Sequence, residues 1–307
     1  MNQNIVTTNK NYSSSILHQN LVNLLKLYPF LNVQIVSNSV LGTPIYVIKL
    51  GTGPKQVFYS AGIHANEWIT SIILMKFIED YSKSYASNSK LYNYSINDIF
   101  NSCSIYIMPM INPDGIDLVT GYLQQNSSPY IKAEKIASNF PYIPFTNGWK
   151  SNINGVDLNL QFPAGWKNAK EIKYAQGFTT PAPRDFVGTA PLTEPESIAV
   201  YNFTLQHNFD LILSYHSQGE VIYWQFQDYS PPNSFYIGTQ FSNISGYSLE
   251  DTPYNSSFAG YKDWFIQTYN KPGYTIEVGK GINPLPLTQF DQIYNENIGI
   301  LLYAAYI

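Results

Sequence analysis

The fold is decided at residues 59–68, which read YSAGIHANEW. A β-forming run, residues 56–61, ends here, and an apolar pattern of helical period begins at Trp68. His64 and Glu67 therefore lie on a turn from a strand into a helix. Because positions i and i+3 face the same side of a helical turn, both side chains can reach one cation. Zinc accepts imidazole nitrogen and carboxylate oxygen together, so this turn is a candidate metal site.

Composition indicates a globular α/β protein and argues against nucleic acid as a partner. The chain has 307 residues, of which 44% are hydrophobic, enough to bury one large core. The net charge of -4 does not suit a nucleic-acid partner. The single cysteine, Cys103, excludes an internal disulfide. No run approaches the roughly 18 apolar residues of a membrane helix, and residues 1–4 show no start of a signal peptide.

Alternating strand and helix patterns predict a largely parallel or mixed sheet wrapped on both faces. No repeat, linker or break in composition divides the chain, so a single domain over residues 1–307 is expected. A capping box at residues 193–196 is expected to open one helix, and residues 112–115 are expected to form a turn. The predicted strands are 32–37, 44–50, 56–61, 104–110, 210–216, 220–226 and 274–279. The predicted helices are 13–28, a segment from 68, 193–207, 233–245, 260–270 and 289–305.

Two distant residues favour a metal site over the alternative for the first motif, a strand-end histidine capped by a polar neighbour. His216 ends the apolar run 211–215, and sites in open α/β sheets assemble at such strand ends. Glu277 lies within the apolar segment 274–279, where a carboxylate is costly unless it is paired or functional. The remaining histidines lie within predicted helices, where solvent-exposed or capping roles suffice: His18 and His207.

These motifs together resemble the zinc carboxypeptidase family. The resemblance covers the chain from about residue 13 to its end, and further family segments follow in order: NPDG at 112–115, WK at 149–150, GVDLN at 155–159 and DW at 263–264. The segments DLNLQFPAGW and GYTIEVGKG, at 157–166 and 273–281, are most similar to bacterial γ-D-glutamyl-L-diamino acid endopeptidases. Those enzymes cut peptidoglycan stem peptides between D-glutamate and the diamino acid.

The resemblance implies a fold, a metal and a set of residue roles. The fold would be a single α/β domain with a central mixed, mostly parallel eight-stranded sheet flanked by helices. One Zn²⁺ per chain would be held by His64, Glu67 and His216. Glu277 would be the general base and later the general acid, taking a proton from a zinc-activated water. Asp157 would hold His64 in its metal-binding tautomer.

The sequence departs from the family pattern at two places. Lys150 stands where the family has the arginine that stabilises the oxyanion, so the charge remains but the planar fork is lost. Digestive-type carboxypeptidases hold the terminal carboxylate with an asparagine–arginine pair, and here Asn159 is followed by Leu160. Bidentate capture of a carboxylate is an arginine property, and Arg184 is the only arginine in the chain. This departure favours the endopeptidase branch.

Several substrate-binding assignments stay open at this point. Lys262 stands where the family places a specificity residue at the floor of the pocket for the residue after the cut. It either pairs with a carboxylate, such as that of diaminopimelate, or is a solvated lysine on a helix. Arg184 either pairs with Asp185 or binds a substrate carboxylate. Tyr254 and Tyr261 are both candidates for the family's mobile tyrosine.

Three functions compete for this sequence. The first is a zinc peptidase acting on peptidoglycan-derived peptides at the γ-D-glutamyl–diamino acid bond. The second is a zinc carboxypeptidase that removes C-terminal residues from ordinary peptides. The third, a non-catalytic binding module, is disfavoured because the metal ligands and the base are all present. We expect a peptide as partner, with neither nucleic acid nor membrane, and a cytoplasmic location. Release to the cell wall or spore, during sporulation or lysis, is the alternative location.

Overall fold

The computed structural model describes residues 4–307, and its strands and helices alternate as the sequence predicts. The strands are β1 (Asn32–Asn38), β2 (Pro44–Leu50), β3 (Lys55–Ser60), β4 (Lys90–Leu91), β5 (Tyr94–Ser95), β6 (Cys103–Met108), β7 (Leu211–His216), β8 (Val221–Tyr223), β9 (Ser248–Glu250) and β10 (Gly273–Glu277). The helices are α1 (Ser14–Leu27), α2 (Ile69–Ala86), α3 (Ile96–Ser102), α4 (Pro113–Thr120), α5 (Ser128–Ala137), α6 (Trp166–Ala175), α7 (Pro195–Leu205), α8 (Ser234–Ser245), α9 (Tyr261–Tyr269) and α10 (Phe290–Tyr306).

Eight strands form one sheet in the order β1-β2-β6-β3-β7-β10-β8-β9, and β4 and β5 form a separate small hairpin. The central strands β6, β3, β7 and β10 run parallel to one another. Antiparallel pairs lie to either side, β1 with β2, β2 with β6, and β8 with β10. The expected eight-stranded, mostly parallel mixed sheet is confirmed. Its parallel centre brings the carboxyl ends of four strands to one edge.

The sheet is buried on both faces because its central strands carry apolar residues at successive positions. Successive side chains point to opposite faces, so Leu213 joins one core cluster and Ile212 the other. Residues of α1, α2 and α10 pack in the first cluster, and residues of α7 and α9 pack in the second. Each large apolar side chain that is fully buried in this way contributes about 1.5–3 kcal/mol.

Two local predictions are wrong. Residues 112–115 form the beginning of α4 and not a turn: Asn112 caps this helix, and its Oδ1 accepts a hydrogen bond from the Gly115 backbone 3.1 Å away. The expected capping box at residues 193–196 does not form, because Glu194 rather than Thr193 occupies the cap position. The Thr193 hydroxyl donates instead to Gln161 Oε1, 3.0 Å away. At residues 193–196 a contact from outside the local sequence decides the geometry, whereas the cap at Asn112 is made within the first turn of α4.

The helices give no sign of a membrane span. Among residues 4–307, no helix is both long enough and apolar enough to cross a bilayer.

Candidate active site

The predicted metal ligands come together at the carboxyl ends of two neighbouring parallel strands. β3 pairs directly with β7, and His216 is the last residue of β7. After β3 the chain turns at Gly62, whose φ of 61° suits glycine, and where a Cβ would lie 2.6 Å from Ser71 Oγ. His64 then precedes a single 3₁₀ turn that ends at Glu67. The strand register and this turn place all three ligands on one side.

The three side chains are buried and point their donor atoms at one another. His64 Nδ1 lies 3.0 Å from Glu67 Oε1, and His216 Nδ1 lies 3.0 Å from Glu67 Oε2. The two Nδ1 atoms are 3.2 Å apart, and one donor atom from each residue lies within 4.8 Å of the others. Converging electron-pair donors repel one another unless a cation lies among them. Two imidazoles and a carboxylate form the donor set of many catalytic zinc sites, so these residues fit zinc.

Asp157 fixes which nitrogen of His64 is free to bind a metal. Its Oδ1 lies 3.0 Å from His64 Nε2. An ionised carboxylate can only accept a hydrogen bond, so Nε2 carries a proton, and Nδ1 is the nitrogen that can bind a metal once it is deprotonated. The backbone N–H of Asp185 holds the other oxygen of Asp157, at 3.2 Å. The expected position of Asp157 behind His64 is therefore the one that the structure shows.

Charge in this cluster keeps its carboxylates ionised. Burial works to raise the pKa of Glu67, but the positive charges of Lys150 and His64 hold it well below its usual range. The pKa of Asp157 is likewise held low, because the interaction with His64 outweighs burial. Burial lowers the pKa of His64, yet the two carboxylates together raise it to about 9. The two carboxylates are thus held in the charged form, which is the form that binds a cation.

Lys150 lies directly beside the ligand cluster. Its Nζ is 2.9 Å from Glu67 Oε1, and 19% of its side chain is exposed. Its backbone carbonyl accepts a hydrogen bond from the Ala65 backbone at 3.0 Å, and its own N–H donates to Pro183 O at 2.7 Å. Burial lowers the pKa of Lys150, but the charge of Glu67 raises it above its usual value. The ammonium group is therefore a fixed positive charge at the metal site.

Glu277 lies across the site from Lys150, at the end of β10. It pairs in register with His216, and no hydrogen bond to its carboxylate is found among residues 4–307. Burial raises the pKa of Glu277, and the negative charge of Glu67 adds to this. The positive charges of His216 and Lys150 oppose the shift without reversing it. A partly buried carboxylate with a raised pKa is suited to general base and acid chemistry.

Two cavities meet at this site. The first cavity has a volume of about 270 Å³ and extends towards β8, β10 and α9. The second cavity, of about 700 Å³, extends the other way towards residues 142–148 and 281–284. The residues that line both are Lys150, Arg184, Tyr223 and Glu277. The candidate catalytic groups therefore stand at the boundary of the two cavities, where a peptide bond would lie if its two sides occupied one cavity each.

The three predicted substrate-binding residues all line the first cavity. Asn159 Oδ1 accepts a hydrogen bond from the Tyr261 backbone, at 3.1 Å. Lys262 is only 5% exposed, so its interpretation as a solvated lysine is wrong. Its Nζ donates to Gln225 O at 2.6 Å and lies 2.8 Å from Asp263 Oδ1. Lys262 is thus a buried charge at the wall of the cavity.

The structure shows Arg184 paired with Asp185 and also places it in the lining of both cavities. Its Nε donates to Asp185 Oδ2 at 2.8 Å, and its side chain, 41% exposed, also lines both cavities. Sequence reasoning missed Lys173, which lines the first cavity and whose Nζ lies 2.6 Å from Asp185 Oδ1. Asp185 itself adopts a φ of 65°, a conformation rare outside glycine. No pattern in the neighbouring sequence predicts this positive φ.

The candidate tyrosines differ in burial and in their position relative to the two cavities. Tyr261 is buried in the core with its hydroxyl 2.9 Å from Thr204 Oγ1. Tyr254 is 61% exposed and packs edge-on against Phe258. It is not among the described residues that line the two cavities. Tyr223, which sequence reasoning missed, lines both cavities beside Glu277. Among the described residues it is the tyrosine that lines both cavities.

Comparison with known proteins identifies the family. A model of the family described as zinc carboxypeptidase matches residues 17–299. The chain belongs to the zinc carboxypeptidase family. It is a zinc metallopeptidase, and His64, Glu67 and His216 are the group that could hold the zinc that this family uses.

Sequence relatives and a solved structure agree with this membership. Gamma-D-glutamyl-L-diamino acid endopeptidase 1 of Lysinibacillus sphaericus is 43% identical over 303 residues, 99% of this chain and 74% of that protein. The uncharacterized protein YqgT of Bacillus subtilis is 40% identical over 299 residues, 97% of this chain and 78% of that one. Carboxypeptidase A from Helicoverpa armigera matches with a TM-score of 0.72 at 20% identity, over 100% of this chain and 77% of that one. That likeness confirms the fold.

Proposed function

We propose that this metallopeptidase hydrolyses peptidoglycan stem peptides at the bond between γ-linked D-glutamate and a diamino acid. The observation that carries the proposal is the 43% identity, over 99% of the chain, to a protein named for that reaction. Geometry adds support at the first cavity, where Leu160 stands at the position of the arginine of the digestive-type anchor, so the asparagine–arginine pair is absent there.

In the proposed mechanism each residue of the cluster has one task. His64, Glu67 and His216 would hold the zinc, which when bound would supply a Lewis acid and lower the pKa of a water. The Glu277 carboxylate accepts a proton from the attacking water and later delivers it to the leaving amine nitrogen. Lys150 stabilises the negative charge that develops on the scissile carbonyl oxygen. Asp157 keeps the proton of His64 on Nε2 throughout.

We propose that the first cavity binds the diamino acid after the cut. Lys262 and Asp263 lie side by side there, at 5% and 4% exposure, and present one positive and one negative charge. The far end of diaminopimelate carries an amine and a carboxylate, so this pair is complementary to it. Lysine would offer only the amine. Asn159 lines the same cavity and is placed to bind the backbone or carboxylate of the same residue.

Mass spectrometry of reaction products tests this function. The zinc-loaded enzyme is given L-Ala-γ-D-Glu-meso-diaminopimelate and, separately, an ordinary peptide with a free C-terminus. Release of the diamino acid from the first substrate alone is expected. Trimming of the ordinary peptide alone would overturn the proposal in favour of the carboxypeptidase alternative, with Arg184 or Lys262 as the carboxylate anchor.

We further propose that residues 1–307 act as one catalytic domain. The continuous eight-stranded sheet and a family match over residues 17–299 support this. Limited proteolysis tests it: one protected fragment retaining activity is expected, and two separately stable fragments would contradict it.

The cytoplasmic location and the alternative of release to the wall or spore stay predictions. Fractionation of expressing cells tests them.

A further inference from the structure

We propose that Arg184 binds the free α-carboxylate of the γ-linked D-glutamate, on the N-terminal side of the cut. This inference rests on the proposed function, because that function supplies the γ-linkage. It adds a specificity-determining residue and assigns a role to the second cavity.

The chemistry of the γ-linkage requires a cation on that side. A γ-linked glutamate uses its side-chain carboxyl in the scissile bond and leaves its α-carboxyl free. The substrate therefore carries a carboxylate only a few bonds from the scissile carbonyl. An enzyme that selects this linkage must offer that carboxylate a positive partner, and a guanidinium fork is the best geometric match.

The second cavity is the place where this carboxylate would lie. Lys150 and Glu277 line it, as they do the first cavity, whereas Lys262 lines the first cavity and not this one. Among the described residues that line it, the cations are Lys150 and Arg184. Lys150 is already paired with Glu67 at 2.9 Å. Arg184 is paired too, with Asp185, but through Nε, and its planar fork makes it the better match for a substrate carboxylate.

The hydrogen bonds of Arg184 leave its outer edge free for a ligand. Nε donates to Asp185, and among residues 4–307 no hydrogen bond from either terminal nitrogen is found. Asp185 also pairs with Lys173 at 2.6 Å, so one carboxylate is shared between two cations. One positive charge remains unbalanced in this trio. The shared contact holds the guanidinium by its inner edge and presents the outer edge to a carboxylate.

The rest of the second cavity offers little other charge. Apolar side chains such as Tyr142 and Ile282, 69% and 87% exposed, form part of its wall, and uncharged polar side chains such as Asn147 form another part. Glu277 is its one carboxylate among the described lining residues, and it would repel a substrate carboxylate placed too near the scissile bond. Attraction by Arg184 and repulsion by Glu277 together fix where the α-carboxylate can lie. The apolar wall is left for the alanine and what precedes it.

The test compares two substrates that differ at one group. One is L-Ala-γ-D-Glu-meso-diaminopimelate, and the other carries an α-carboxamide in place of the α-carboxylate. For the wild-type holoenzyme, kcat/KM is expected to be about tenfold to a hundredfold higher with the carboxylate, as loss of a charged hydrogen bond predicts. Arg184→Gln is expected to remove this preference, mainly by raising KM for the carboxylate substrate. Arg184→Lys should retain part of it, since a point charge remains.

The matched control is Lys132→Gln, which removes an exposed positive charge on α5 and should leave the preference unchanged. Equal cleavage of both substrates by the wild type would overturn the inference, and this result does not depend on any variant folding. So would a loss in Arg184→Gln that is the same for both substrates. If the wild-type enzyme cleaves the ordinary peptide and neither of these substrates, the proposed function fails first and the inference falls with it.

Discussion

The strand edge and the irregular segment of residues 138–165 build the two sides of one site by different means. At the strand edge, register alone sets His216 opposite Glu277. In the irregular segment, single hydrogen bonds do the same work: the backbone N–H of Lys150 donates to Pro183 O, and that of Asp157 donates to Phe186 O. Many backbone hydrogen bonds between neighbouring strands hold the strand edge in place, whereas a few hydrogen bonds hold Lys150 and Asp157. Changes should therefore act differently in the two regions.

The largest effect is expected at the strand edge, where His216→Ala removes a metal ligand. We expect zinc content to fall to background and turnover to be lost, because two remaining ligands hold zinc far less tightly than three. Atomic absorption on the dialysed protein measures this. His18→Ala is the control, since His18 is exposed and, among residues 4–307, its ring hydrogen-bonds only to Tyr46. Full zinc content in His216→Ala would remove His216 from the site.

Glu277→Gln separates chemistry from metal binding at the same edge. Zinc content should stay at one ion per chain while turnover falls by about a thousandfold or more, because glutamine cannot accept a proton. Zinc analysis and kcat on the same preparation check both halves. Glu171→Gln, an exposed acid on α6, should change neither. Substantial hydrolysis by Glu277→Gln would mean that another group is the base.

Lys150→Ala removes the positive charge that the irregular segment places at the site. Turnover should fall by about a hundredfold if the ammonium group stabilises the developing oxyanion. Zinc should remain bound, since the three ligands are intact. Lys150→Arg restores the charge and adds the fork found elsewhere in the family, so it should recover much of the lost rate. An unchanged kcat in Lys150→Ala would leave Lys150 as a structural partner of Glu67 alone.

The same contrast explains what the sequence could and could not predict. His64, Glu67, His216 and Glu277 lie at strand ends or on the first turn of a helix, where apolar periodicity fixes position, and all four converge as expected. Asp157 and Lys150 could be placed only through the family resemblance, because no periodicity runs through their segment.

Residues fixed by long-range contacts escaped prediction. Asp185 holds Asp157, Lys173 and Arg184 through its own backbone and carboxylate, and its positive φ has no local sequence signal. Tyr223 reaches both cavities only because β8 lies antiparallel beside β10. Neither contact can be inferred from residues near it in the chain.

Asn112 joins the two regions, so it offers the sharpest test of how they are coupled. Its side-chain NH₂ donates to Ile63 O, just before the first ligand, at 3.2 Å, and to Ser151 O, just after Lys150, at 3.0 Å. Its Oδ1 caps α4. The residue is fully buried, so Asn112→Ala would leave two carbonyls and one N–H without their partner at a cost of about 1–3 kcal/mol each.

Because Asn112→Ala loosens Lys150 relative to the ligands, kcat should fall by about tenfold in protein that remains folded. Zinc affinity should change less, since strand register still sets the ligands. Urea unfolding, kcat and zinc titration on one preparation distinguish these effects, with the exposed Asn139→Ala as control. A loss of stability with unchanged kcat would show that the irregular segment keeps its position without this bridge. A loss of zinc larger than the loss of kcat would show instead that the metal turn, and not Lys150, depends on Asn112.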